Sequence, residues 1–225
     1  MGKGSFGSVF AAINVDTGDD FAVKQILPEP EDVRLVQREV AILSRLSHVS
    51  PPSARSSPRH GEADGSKPRV LEYLAFQPLQ GHSVEIFTEL KDGNARDLQR
   101  QGYFNGQHSQ TRAKIVLLDM LEALVYLAGE KIIHRDVKPA NILYEDAAGQ
   151  RRYQLADFGL SKVVESRPGT HCGSLSFMAP EVDQVQAQGD CVQSCKMDVW
   201  SLAATIFWLS DVDISSNRAS FGRMQ

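Results

Sequence analysis

Ile132-Ile133-His134-Arg135-Asp136-Val137-Lys138-Pro139-Ala140-Asn141 sets an acid, a cation and an amide within six residues, directly after an apolar pair. Those residue types at that spacing suit phosphoryl transfer, where a protein positions groups and balances charge more than it makes bonds. Asp136 can accept the proton of an attacking hydroxyl, Lys138 can neutralise charge on a moving phosphate, and Asn141 can lend a neutral oxygen to a magnesium ion. Two further fragments follow, Asp157-Phe158-Gly159 and then Ala179-Pro180-Glu181. Each fragment alone is weak, and their order gives them weight.

Upstream, Gly2-Lys3-Gly4-Ser5-Phe6-Gly7-Ser8-Val9 spaces three glycines so that backbone can approach phosphates closely. Phe21-Ala22-Val23-Lys24 then puts a lysine at the apolar centre of a strand, an odd place for a solvated cation. Together these motifs resemble the signature of eukaryotic protein kinase catalytic domains. Lys138-Pro139 resembles the serine/threonine-directed form of the loop.

The resemblance implies a role for each position. Gly2, Gly4 and Gly7 would cover the ATP phosphates. Val9 and Ala22 would lie on one side of the adenine, with Leu143 on the other. Lys24 would hold the α- and β-phosphates in an ion pair with Glu39, with Arg38 and Glu31 as competitors for that pairing. Glu89 would contact the nucleotide at the start of a hinge running to Gly93, with Thr88 guarding the back of the pocket. Asp136 would be the base, with Lys138 beside it, and Asn141 and Asp157 would hold Mg2+. His134 would be buried, Ser174 would hydrogen-bond Asp136 and Lys138, and Asp198 would tie down the backbone of the catalytic loop. Thr170 would be phosphorylated by an upstream activating kinase, with Arg135 offering the cation and Ser161, Ser166 and Ser176 as rivals.

Patterning supplies the elements. Residues 7–13 and 20–27 read as paired strands around a turn at 14–19. Over 31–46 the period changes, and Val33, Val36, Val40, Leu43 and Leu46 mark one helix face. Residues 49–68, rich in Pro and Ser, read as a disordered insertion. Strands are expected near 70–76 and 84–90, and a short helix at 94–101. A longer helix at 111–129 would be lined by Ile115, Leu118, Leu121, Leu124, Val125 and Leu127, with Thr111 near its start. A helix from Asp198 to Leu209, apolar nearly all round, should be buried. The expected fold is α+β and bilobal: a small β-rich N-lobe with one helix over 1–90, and a mostly helical C-lobe over 91–225.

The bulk composition agrees. A 225-residue chain with 42% hydrophobic and 23% charged residues is an ordinary globular protein. Its net charge of -4 gives no electrostatic drive toward nucleic acid or an anionic membrane. Three cysteines without a secretory leader read as free thiols in an intracellular compartment, cytoplasmic or nuclear. Only Cys191 and Cys195 are spaced like half of a metal site. No apolar run is long enough to span a bilayer.

Set against the family pattern, the chain is expected to be truncated at both ends. Most of a first strand, the closing helices of the C-lobe and the arginine that would pair with Glu181 are absent from the sequence. Two readings follow. One is an ATP- and Mg2+-dependent serine/threonine protein kinase acting on protein hydroxyls. The other is a non-catalytic fragment that only binds nucleotide or a protein partner.

Overall fold

The computed structural model describes residues 2–4, 7–28, 32–46, 69–79, 83–147, 149–164, 174–183 and 194–210. The chain forms two compact units, Met1–Lys91 and Asp92–Gln225. The proline- and serine-rich stretch at 49–68 lies outside the described residues, as do Thr170, Ser166, Cys172 and Cys191.

The first unit is an antiparallel sheet in the order β1-β2-β3-β5-β4, with one helix. Its strands are β1 (Gly2–Gly4), β2 (Gly7–Ile13), β3 (Asp20–Ile26), β4 (Tyr73–Pro78) and β5 (Val84–Glu89), and its helix is α1 (Val33–Leu46). The turn between β2 and β3 is fixed by Asn14, whose side-chain oxygen accepts from the amides of Asp16 and Thr17. Gly18 takes the positive φ of 77° that closes it. At Gly7 a Cβ would collide with the carbonyl oxygen of Gln25 in β3, so only glycine allows the glycine-rich strand to lie this close.

The buried face of α1 differs from the expected stripe. Val36, Glu39, Ile42, Leu43 and Leu46 are buried, while Val33 and Val40 are only half-buried. The reason is a charge at the centre of the face: Glu39 turns inward to meet Lys24, which rotates Val40 outward and brings Ile42 in.

The second unit is mostly helical, with α2 (Ala95–Arg100), α3 (Ser109–Gly129), α4 (Pro180–Asp183) and α5 (Lys196–Leu209). It also holds strands the periodicity did not reveal. β6 (Gly93–Asn94), β8 (Ile142–Ala147) and β9 (Gln150–Leu155) form one small sheet, and β7 (Ile132–Ile133) pairs with β10 (Lys162–Val163). The α+β class read from the sequence therefore holds, with a β-rich first unit and a helix-rich second.

Two helix readings need correction. In α3 the buried stripe is Ala113, Val116, Asp119, Met120, Ala123, Leu124 and Leu127. Ile115, Leu118, Leu121 and Val125 face outward, Val125 with 73% of its surface exposed. The helix carries two apolar stripes, and a polar contact selects between them: the Asp119 carboxylate accepts from the Tyr153 amide in β9 at 2.8 Å. Thr111 is exposed and does not cap the helix, which starts at Ser109.

In α5 the expected all-round burial fails as well. Val199, Phe207 and Trp208 are exposed, while Asp198, Ser201 and Thr205 are buried. Those polar side chains occupy the packed face because each has a backbone partner there. No described helix is long and apolar enough to cross a membrane.

Candidate active site

In the first unit, Lys24 sits on β3, the middle strand between β2 and β5. It lies opposite Val9 on one side and Ile86 on the other. Ala22, two residues away on the same face, lies opposite Thr88. Lys24 Nζ meets Glu39 Oε1 at 2.7 Å, with the Glu39 side chain 4% exposed. Arg38 is exposed and turned elsewhere. A carboxylate this deep persists only with its partner, and removing one side of such a pair costs about 3–5 kcal/mol. Gly2 and Gly4 lie in β1, opposite Val9 and Gly7 of β2.

Glu89 ends β5. Its amide donates to the Glu72 carbonyl at 3.3 Å, and its carboxylate meets the buried Lys91 ammonium at 2.7 Å. Burial pushes the Glu89 carboxyl up, against the pull of Lys91.

In the second unit a closed network surrounds Asp136. The carboxylate is buried. Oδ1 accepts from Ser174 Oγ at 2.9 Å, and Oδ2 takes the Lys138 ammonium at 2.7 Å and the Asn141 amide at 2.9 Å. Lys138 Nζ also donates to Ser174 Oγ at 3.0 Å, which closes the ring. A carboxylate offers about four acceptor sites. Three are engaged here, which leaves capacity for one more proton donor.

The backbone of this loop is held from α5. Asp198 accepts from the amides of His134 and Arg135, at 2.7 and 2.8 Å. Burial pushes its carboxyl up while those amide hydrogen bonds hold it down. Arg135 takes a left-handed φ of 68°, costly for a residue with a Cβ, and the paired amide bonds hold it there. Its Nε donates to the Leu160 carbonyl.

His134 is fully buried. Its Nδ1 accepts from the Asp136 amide and its Nε2 reaches the Ala156 carbonyl at 3.1 Å, so the ring is neutral with the proton on Nε2. Burial lowers its pKa, against the pull of Asp198 and the other nearby carboxylates. The Phe158 ring meets it edge-on, with centroids 4.9 Å apart.

Asn141 and Asp157 are joined by the β8–β9 hairpin. Ile142 lies opposite Leu155, and the Ala156 amide donates to the Asn141 carbonyl at 2.9 Å. Asp157 is exposed, with φ of 66°, between the buried Ala156 and Phe158. Leu143 is half-buried on β8, opposite Gln154 and Asn94.

The structure thus brings together Lys24 with Glu39, and Asp136 with Lys138, Asn141 and Ser174. Ser161 is excluded as a modification site: it is buried and bonded to the His134 carbonyl. Sequence reasoning missed the hairpin and Asp119. A signal was present in Tyr153 and Leu155, which alternate with Arg152 and Gln154 and follow Gly149.

The family described as protein kinase domain matches residues 60–216. MAP3K epsilon protein kinase 1 of Arabidopsis thaliana is 29% identical over 215 residues, which is 93% of this chain and 14% of that protein. Mitogen-activated protein kinase kinase kinase bck1 of Aspergillus fumigatus is 30% identical over 92% of this chain and 12% of its own length. The chain therefore spans only about an eighth of the length of these two curated relatives. A crystal structure of a kinase domain superposes with a TM-score of 0.72 at 20% identity, over 93% of this chain and 62% of that one. It has the same fold. On the family match, which covers well over half of its residues, the chain belongs to the protein kinase domain family.

Proposed function

We propose that this protein transfers the γ-phosphoryl group of ATP to serine and threonine hydroxyls of a protein substrate, with magnesium. The observation that carries the reading is the buried Asp136 carboxylate, ringed by Lys138, Asn141 and Ser174 with capacity for one more donor. A substrate hydroxyl is the donor that completes it, and Asp136 then takes the proton as the oxygen attacks. Lys138 pairs with that carboxylate at 2.7 Å and offsets charge on the phosphoryl group.

The first unit, Met1–Lys91, is the small lobe of this reading and the second, Asp92–Gln225, the large lobe, one residue from the expected boundary between 90 and 91. Lys24, fixed by Glu39, holds phosphate oxygens. Gly2, Gly4 and Gly7 present backbone amides to the phosphates, and Val9, Ala22 and Leu143 supply apolar surface for the base. The Glu89 amide is engaged with Glu72, so a nucleotide contact at this residue falls on its carbonyl.

The donor set fits magnesium. Asn141 spends its amide N–H groups on Asp136, which leaves the amide oxygen as its ligand atom, and Asp157 adds a carboxylate. No cluster of three or more His, Cys, Asp or Glu that could hold a metal occurs among the described residues. A cation that keeps waters and shares substrate phosphates needs no such cage. When bound, it supplies charge neutralisation on the phosphates. An upstream kinase acting at Thr170 and a protein substrate are the partners of this reading.

The test is Asp136→Asn in the purified protein with ATP, magnesium and a generic serine/threonine substrate. Turnover is expected to fall by roughly 10²–10⁴ while nucleotide binding persists. An asparagine variant that turns over like the parent removes the assignment.

A further inference from the structure

The chain enters the second unit at Asp92 and is stitched to β8 at once. The Asp92 amide donates to the Tyr144 carbonyl at 3.0 Å, and the Asp92 carboxylate accepts from the Asp146 amide at 2.7 Å. Gly93 and Asn94 of β6 then lie opposite Tyr144 and Leu143. A Cβ on Gly93 would come within 3.0 Å of the Tyr144 ring, so β6 rests against that ring. Where the ring sits decides where β6 meets β8.

The ring is held from the other arm of the hairpin. Tyr144 and Asp146 share one face of β8, and Arg151 of β9 lies opposite Asp146 on that face. The Arg151 guanidinium carbon is 4.4 Å from the centre of the Tyr144 ring and 4.3 Å from that of Tyr103, in the loop between α2 and α3. Its Nε and Nη2 take the two Asp146 oxygens at 2.7 and 2.6 Å, which orients the guanidinium plane. Nη1 is buried without a hydrogen-bond partner, so on that side the rings are what hold the group. Tyr103 is itself fastened to α3, because Arg112 lies 4.3 Å over its ring and donates to its carbonyl. The Asn141 end of the hairpin has separate ties, through the Ala156 amide and through Asp119 on the Tyr153 amide. The Arg151 stack therefore acts on β6 and on β8 from Leu143 to Asp146, with Leu143 on the opposite face from the stack.

We infer that Arg151 is a positioning residue: stacked on Tyr103 and Tyr144, it fixes β6 against β8 and so sets the surface that Leu143 offers to the adenine. The inference rests on the kinase reading of Leu143.

The experiment compares the purified protein with Arg151→Lys and Tyr103→Leu. Lysine keeps the charge and has neither a plane to stack nor a fork for Asp146. Leucine removes the ring and leaves the Arg151–Asp146 pair in place. Contacts to the base are the same before and during transfer, so each variant should raise the KM for ATP roughly two- to tenfold, with kcat within about twofold of the parent. Hydrogen exchange needs no turnover. Each variant should speed it at the Asp92 and Asp146 amides and leave the Tyr153 amide, held by Asp119, as it was. Exchange like the parent's at Asp92 and Asp146, or an equal acceleration at Tyr153, overturns the inference. So does an Arg151→Lys protein with the parent's KM, or a fall in kcat at constant KM. Faster exchange confined to Asp92 and Asp146 in a protein that does not bind ATP supports the stack and counts against the kinase reading instead.

Discussion

Ser174 is the residue on which the Asp136 ring closes. Its hydroxyl donates to Asp136 Oδ1 and accepts from Lys138. Both partners are charged, so each bond is stronger than a neutral one, about 1.5–3 kcal/mol. Ser174→Ala should lower kcat by tenfold or more, on the order of one such bond. Ser174→Thr keeps the hydroxyl and should retain most of the activity. The comparison is read by steady-state kinetics, and an alanine variant with the parent's kcat would show that the hydroxyl is incidental. The residues that meet around Asp136 were legible because they stand at short spacing: Asp136, Lys138 and Asn141 fall within six residues. Glu39 was legible because a lone carboxylate on an apolar helix face requires a cation.

At the scale of elements the sequence was readable where one stripe of side chains had one explanation. β2, β3 and α2 fall close to their expected bounds. α3 was misread because its outward stripe of Ile115, Leu118, Leu121 and Val125 is as apolar as its inward one. The deciding group is Asp119, a polar residue whose partner is a backbone amide 34 positions away. Periodicity carries no information about such a contact. Asp119→Ala would leave the Tyr153 amide buried without its acceptor and should destabilise the protein by about 1–3 kcal/mol. Urea denaturation measures this. A change within a few tenths of a kcal/mol would mean that water replaces the carboxylate. The same reasoning explains α5, where Asp198, Ser201 and Thr205 take the inner face and Val199, Phe207 and Trp208 are left outside.

For the whole molecule, the buried neutral ring of His134 links folding to acidity. Burial lowers its folded pKa below the ordinary histidine value of 6.5. The unfolded chain therefore binds the proton more readily than the folded one. The stabilisation is complete above pH 6.5 and is lost as pH falls through that value toward the folded pKa, at up to about 1.36 kcal/mol per pH unit. Thermal midpoints between pH 8 and pH 5 should fall accordingly. His134→Phe should flatten the slope, and the difference between the two proteins separates the ring from Asp198, whose raised carboxyl pulls the other way. Identical slopes in parent and variant would place the titration elsewhere.

The β8–β9 hairpin has a practical consequence. Because Ile142 lies opposite Leu155, the distance along the chain from Asn141 to Asp157 measures hairpin length and nothing else. Two residues added to each arm extend the ladder at its far end and leave both oxygen donors where they are. One residue lost from a single arm reverses which of its side chains face α3. Drift in this stretch is therefore tolerable only in matched steps. The tip, around the positive-φ Gly149, is accordingly the place to graft an epitope or a fluorophore without disturbing the chemistry.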